Sequence, residues 1–168
     1  MVIFTWEMIF LDIQKRLKMI LDKFAECSNE LGIIDITKFA RSFGFIVNES
    51  SDLPNDINGK ISSANNNKKI ILNIYFSKEQ KRYTIAYLIS SYLIFYNNEI
   101  FLGSHVLDNE IDAVASFARI LLVPDNKLKA CNTRDCEALA SYFSVPIEIM
   151  ELRLREVFKP NILQRKKD

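Results

Sequence analysis

The sequence predicts an α+β domain, a helical core carrying a small three-stranded sheet that includes a β-hairpin. Three observations lead there. Ser77-Lys78-Glu79-Gln80 has the form of a capping box, and the residues after it, from Tyr83 to Tyr96, are apolar nearly all round, which describes a helix at the centre of a domain. Residues 60–64 and 69–74 are short strand-like runs separated by Asn65, Asn66, Asn67 and Lys68, which tolerate the backbone of a hairpin turn. Ile111, Val114, Ala115, Ala118, Leu121 and Leu122 share one helical face that stops at Pro124.

The remaining elements follow in chain order. Ile13, Leu17, Ile20, Leu21 and Phe24 form a 3.6-period stripe opposite Lys15, Arg16, Lys18, Asp22 and Lys23, so a surface helix packed by one side is expected. Asp35 stands where an N-cap is wanted before Ile36, Phe39, Ala40 and Phe43, and Gly44 where a left-handed C-terminal residue is wanted. A strand starts at Phe45. Residues 48–58 mix Ser, Asp, Pro and Asn and read as a loop. After the hairpin and the central helix, a loop holds Gly103 and His105, and Asp108 can cap the helix that ends at Pro124. Residues 133–143 and 146–158 read as two more helices.

Composition bounds the function. The 168 residues include 49% hydrophobic and 26% charged side chains, which excludes disordered and low-complexity classes and suits one domain over residues 1–168. Residues 1–8 read as a terminal or contact arm, and 159–168 as a basic tail with Arg165, Lys166 and Lys167. With 22 Lys and Arg against 21 Asp and Glu, the net charge of +1 gives no overall field for nucleic acid or an anionic membrane. The apolar run 85–96 falls short of the roughly 20 residues of a membrane span. Cys27, Cys131 and Cys136 are an odd number without disulfide-framework spacing, so reduced thiols and a cytoplasmic location are expected.

The residues also carry a resemblance. Arg82-Tyr83-Thr84-Ile85-Ala86-Tyr87-Leu88-Ile89-Ser90-Ser91 follows a hairpin ending in Ile70-Ile71-Leu72-Asn73. Phe117-Ala118 with Leu121-Leu122-Val123-Pro124 comes next, and Leu139-Ala140-Ser141-Tyr142-Phe143-Ser144-Val145-Pro146 with Met150, Arg153 and Leu154 closes the series. Over residues 31–154 this order resembles the ImmA/IrrE family of small zinc metallopeptidases, and implies a zincin-like fold. In that family the central helix reads R-F-T-x-A-H-E-x-x-H, two His one turn apart binding Zn²⁺ and a Glu polarising the metal-bound water. The positions matching His, Glu and His are Tyr87, Leu88 and Ser91, and the third ligand falls on Ala113 with Asp112 adjacent. Tyr, Ser and Asp offer hard oxygens without imidazole, and Leu88 can neither accept a proton nor orient water. The resemblance thus implies a zincin without a catalytic set, metal or cofactor.

Other candidates were weighed against packing roles. His105 is a lone imidazole in a Gly-Ser-His loop and reads as a solvent-exposed residue. Ser90 and Ser91 lack a G-x-S-x-G elbow and read as small residues for helix packing, Ser91 also lining a relict groove. Cys131 and Cys136, spaced C-x₄-C, have no second ligand pair. Tyr83, Tyr87, Tyr92, Phe95 and Tyr96 read as core aromatics, with Tyr87 the exception because its position faces the family's cleft.

The expected function is that of a pseudopeptidase that binds a protein without cutting it, the partner being a transcriptional regulator or a host defence protein. Relatives in the family often act on such regulators and are often encoded on prophages or mobile elements. Tyr87, Ser91 and Asp112, with an edge strand at 60–64, are the expected contacts. An inhibitor of a host defence enzyme is the sharper form of this reading. A hydrolase rebuilt around Asp112, Tyr87 or His105 and a nucleic-acid module using the C-terminal helices are the alternatives.

Overall fold

The computed structural model describes residues 6–64, 67–95, 100–103 and 112–158. Helix α1 (Trp6–Cys27) extends beyond the stripe that predicts it. Among the described side chains of α1, Ile20 and Phe24 pack against the core, while Leu17 and Leu21 stay exposed. Lys23 Nζ donates to the Ser42 carbonyl and Lys38 Nζ to the Glu26 carbonyl at 2.8 Å, tying down its last turns. The expected one-sided packing thus holds at Ile20 and Phe24 and not at Leu17 and Leu21, while the side chain of Ile13 lies outside the described residues.

A tight turn follows, closed by Asp35 N donating to the Cys27 carbonyl at 2.8 Å and turned by Gly32 at φ +74°. Helix α2 (Ile36–Ser42) starts as expected, with Asp35 Oδ1 accepting from Lys38 N at 3.0 Å. Gly44, at φ +85°, turns the chain out of it.

Strands β1 (Ile46–Ser50), β2 (Ile57–Ala64) and β3 (Asn67–Asn73) are the expected three, and β2 and β3 form the antiparallel hairpin with Ile61 opposite Ile70. The hairpin residues 65–66 lie outside the described residues. Strand β1 joins β3 in parallel, Val47 opposite Ile70. A fourth strand, β4 (Ile100–Gly103), pairs antiparallel with β2, so the order is β1-β3-β2-β4. Two expectations change. The loop 48–58 contracts to 51–56, because Asn48, Glu49 and Ser50 continue β1 and Ile57 and Asn58 begin β2. Of residues 60–64, Lys60 and Ile61 are covered on their free side by β4, opposite Phe101 and Ile100, so the expected edge is lost at those two.

Ile61, Ile70 and Leu72 point from the sheet into the core beneath α3 (Lys78–Phe95). The capping box is present in both directions: Gln80 N donates to Ser77 Oγ at 3.2 Å, and Ser77 N donates to Gln80 Oε1 at 2.9 Å. Every residue from 83 to 91 is buried, as the all-round apolar pattern requires. The buried Thr84 hydroxyl donates to the Gln80 carbonyl at 2.8 Å. Gly59 lets β2 approach this helix, since a Cβ there would lie 2.7 Å from Thr84 Cγ2 and 3.0 Å from the Ile71 carbonyl oxygen.

Helix α4 (Asp112–Leu122) packs on α3 and turns Val114, Ala115, Ala118 and Leu122 inward. Asp108, the expected cap, lies outside the described residues. Pro124 ends α4 and also serves as N-cap of a short helix the sequence did not predict, α5 (Asp125–Ala130). Helix α6 (Cys136–Phe143) is capped by Asp135, whose Oδ1 accepts from Ala138 N at 2.7 Å, so 133–135 belong to its approach. Ser144, left-handed at φ 51°, leads on to Pro146 and α7 (Ile147–Phe158). Arg153 locks α7 to the α4–α5 junction: Nε donates to the Val123 carbonyl at 3.0 Å, Nη1 to Glu156 at 3.1 Å and Nη2 to Asp125. Among the described residues no helix is long and apolar enough to cross a membrane.

Candidate functional site

The positions singled out by the family resemblance sit in the sealed middle of α3. Tyr87 and Ser91 are each 6% exposed and Leu88 is 0% exposed. The rings of Tyr83 and Tyr87 tilt against each other with centroids 6.4 Å apart. A partner side chain could touch Tyr87 or Ser91 only over that residual surface. Ala113 is exposed on α4 while its neighbours Val114 and Ala115 are buried; the side chain of Asp112 lies outside the described residues. The packed α3 positions thus consist of a phenol, an isobutyl group and a hydroxyl, a set with no group that titrates near neutrality.

The secondary candidates have local roles. Ser90 is fully buried with its Oγ without a hydrogen-bond partner. Cys131 Sγ donates to the Lys127 carbonyl at 3.4 Å, and Cys136 Sγ to the Ile147 carbonyl at 3.7 Å, so each thiol is tied to a separate backbone group. Burial, helped by nearby Glu151, pushes the Cys136 thiol up, and burial does the same to Cys27. Tyr92 receives a hydrogen bond from Lys68 Nζ at 2.6 Å and meets Phe45 edge-on at 4.9 Å. Phe95 is exposed, while Tyr96, His105 and the basic tail lie outside the described residues. Lys15, Arg16 and Lys18 lie on the exposed face of α1.

What the sequence reading missed is a cavity of about 840 Å³ beside the first turns of α3. Its walls are the α1–α2 turn with the start of α2, residues 47–49 of β1, Leu72, and Lys78, Lys81, Arg82 and Ile85 of α3. Tyr87, Leu88 and Ser91 line none of it. Ile34, Ile36 and Leu72 provide a buried apolar floor. Arg82 contributes to this wall, but its Nε and Nη2 are sealed from solvent and without a hydrogen-bond partner. Burial pushes its guanidinium below the ordinary value, and the charge of Asp35 opposes that shift. Asp35 is itself engaged as the cap of α2, and Lys81 Nζ is paired with Glu49 Oε2 at 2.7 Å. One signal was visible: Arg82 is the last charged residue before the buried run, where a long cation can be carried inward by its helix.

No protein-family model matches the chain, and no curated protein matches it. The α+β architecture therefore stands on the geometry itself.

Proposed function

We propose that this chain is a metal-free, non-cutting relative of the ImmA/IrrE metallopeptidases that acts by holding a regulatory or host protein. The reading is carried by one observation: the positions of the family's two imidazoles and its general base are Tyr87, Leu88 and Ser91, packed in the interior of α3. Rebuilding a hydrolytic centre there would require burying a charge or an imidazole in an apolar helix, at a cost of several kcal/mol.

Main-chain pairing is the mode of binding that suits the fold. Among the described residues strand β1 has a neighbour on one side only, and Ile46 at its start is 50% exposed. An extended partner segment can add to that edge, with Ile46 giving an apolar contact. The contact surface thereby moves from residues 60–64 and Tyr87 to β1. The test is affinity capture from the native host with intact-mass analysis of what is retained, using the parent chain and Ile46→Asp. A partner of full mass, held by the parent and lost from the variant, is the expected result. A clipped partner, or hydrolysis suppressed by a chelator, overturns the non-cutting reading; equal capture by Ile46→Asp overturns the edge.

A further inference from the structure

We propose that α1 is the contact surface for a second copy of this chain, the two helices pairing antiparallel along the stripe that holds Leu17. The proposal does not rest on the partner reading, since α1 shares no residue with β1 or α3.

The argument begins with a stripe that is covered only in part. Ile20 and Phe24 of α1 pack against the core, yet Leu17 and Leu21, on the same helical face, are 55% and 66% exposed. Every residue from Gln14 to Met19 is exposed, so over nearly two turns α1 presents its apolar side as openly as its charged side. In the sequence the same spacing runs on upstream through Ile13, Phe10 and Trp6. With Leu17, Ile20 and Phe24 these fill successive a and d positions of a heptad pattern along the 22-residue helix, the seam by which one helix packs on another.

The charges select the cover. Lys15, Arg16, Lys18 and Lys23 of α1 stand against Glu7, Asp12, Asp22 and Glu26, four of each sign, so the helix has no net attraction for an anionic membrane or nucleic acid. Their order is uneven: Glu7 and Asp12 come first, and Lys15, Arg16 and Lys18 follow. Two copies laid antiparallel about residues 13 and 14 set each acidic segment against the other's basic one. The same register brings Phe10 level with Leu17 and Trp6 level with Leu21. A parallel pair sets basic on basic instead. The antiparallel contact is self-complementary about a two-fold axis and closes at two copies.

The experiment is sedimentation velocity of the full chain from about 5 to about 300 μM, with Leu17→Asp and Leu21→Asp as variants. The parent should pass from the 19.5 kDa monomer to a dimer as concentration rises. Each variant should weaken the dimer at least about tenfold, because a two-fold contact meets the substitution twice. Both leucines are exposed, so the variants should melt near the parent, which separates a lost contact from a lost fold. Arg16→Glu with Lys18→Glu should also weaken the dimer at least about tenfold, by setting acid against acid. A parent that stays monomeric throughout, a dimer that both leucine variants leave intact, or one indifferent to the charge reversal overturns the proposal. The parent is also spun with vesicles of phosphatidylcholine and phosphatidylserine. A monomer that sediments with them, and is released by Leu17→Asp, overturns the second copy in favour of a membrane surface.

Discussion

Arg119 and Arg153 are withdrawn from solvent and Arg82 partly so, and the last two are treated in opposite ways. Arg153, 3% exposed, has its three nitrogen positions matched by a backbone carbonyl, Glu156 and Asp125, and joins α7 to the α4–α5 junction. Arg82, half-buried as a residue, lines the cavity, but its Nε and Nη2 are sealed away from it and have no hydrogen-bond partner. Burying a charge is tolerated when its hydrogen bonds are made on folding, and then the group belongs to the scaffold. A buried donor whose hydrogen bonds are left unmade costs stability and contributes nothing to the scaffold.

The comparison can be broken at several points. The extreme case is a charge with neither partners nor a cavity, which Leu88→Glu creates by placing a carboxylate at a fully buried position. A loss of at least about 4 kcal/mol is expected, enough to unfold many domains of this size, and thermal melting checks it. Should Leu88→Glu melt near the parent, the middle of α3 has room for a catalytic group and the sealed-helix argument fails. Arg153→Met should cost about 2–3 kcal/mol in urea denaturation, less than a fully buried pair because Asp125 is half exposed and can be resolvated. Asp35→Ala removes the cap of α2 and should cost about 1 kcal/mol, seen as a lower urea midpoint at an unchanged slope. Arg82→Met should leave stability within about 0.5 kcal/mol of the parent or raise it, because it removes unpaid desolvation and no bond. If Arg82→Met instead falls as far as Arg153→Met, the two arginines are alike and the contrast is lost.

How far the sequence could be read depends on the range of the forces involved. Asp35, Gly44 and the Ser77 and Gln80 pair were legible because capping is settled within one turn of the chain. The burial of 83–91 was legible from its composition. Strand β4 was not: four residues, Ile100–Gly103, carry too little pattern, and their pairing with β2 is decided by tertiary packing. That same pairing covers Lys60 and Ile61 of the edge expected at 60–64, since strand order is not a local property. Helix α5 was hidden because a proline that stops one helix can also start the next. The cavity was out of reach for the same reason as the strand order: its walls come from 27–38, 47–49, Leu72 and 78–85, brought together only by the fold. Neither Tyr87 nor Ser91 could be recognised as closed from its letter alone, as a tyrosine in an apolar run suits a cleft floor as well as a core.

The parallel placement of β1 has a kinetic side. The hairpin of β2 and β3 closes a short loop, whereas β1 must wait for β3, its sole partner, and pair with it across an intervening strand. Its amides should exchange with solvent sooner than those of β2, which is held from both sides. Val47, Asn48 and Glu49 are also one wall of the cavity, so each time this strand frays the cavity loses a side. Breathing of a single outer strand thus widens a space already open to solvent, with no loop having to move.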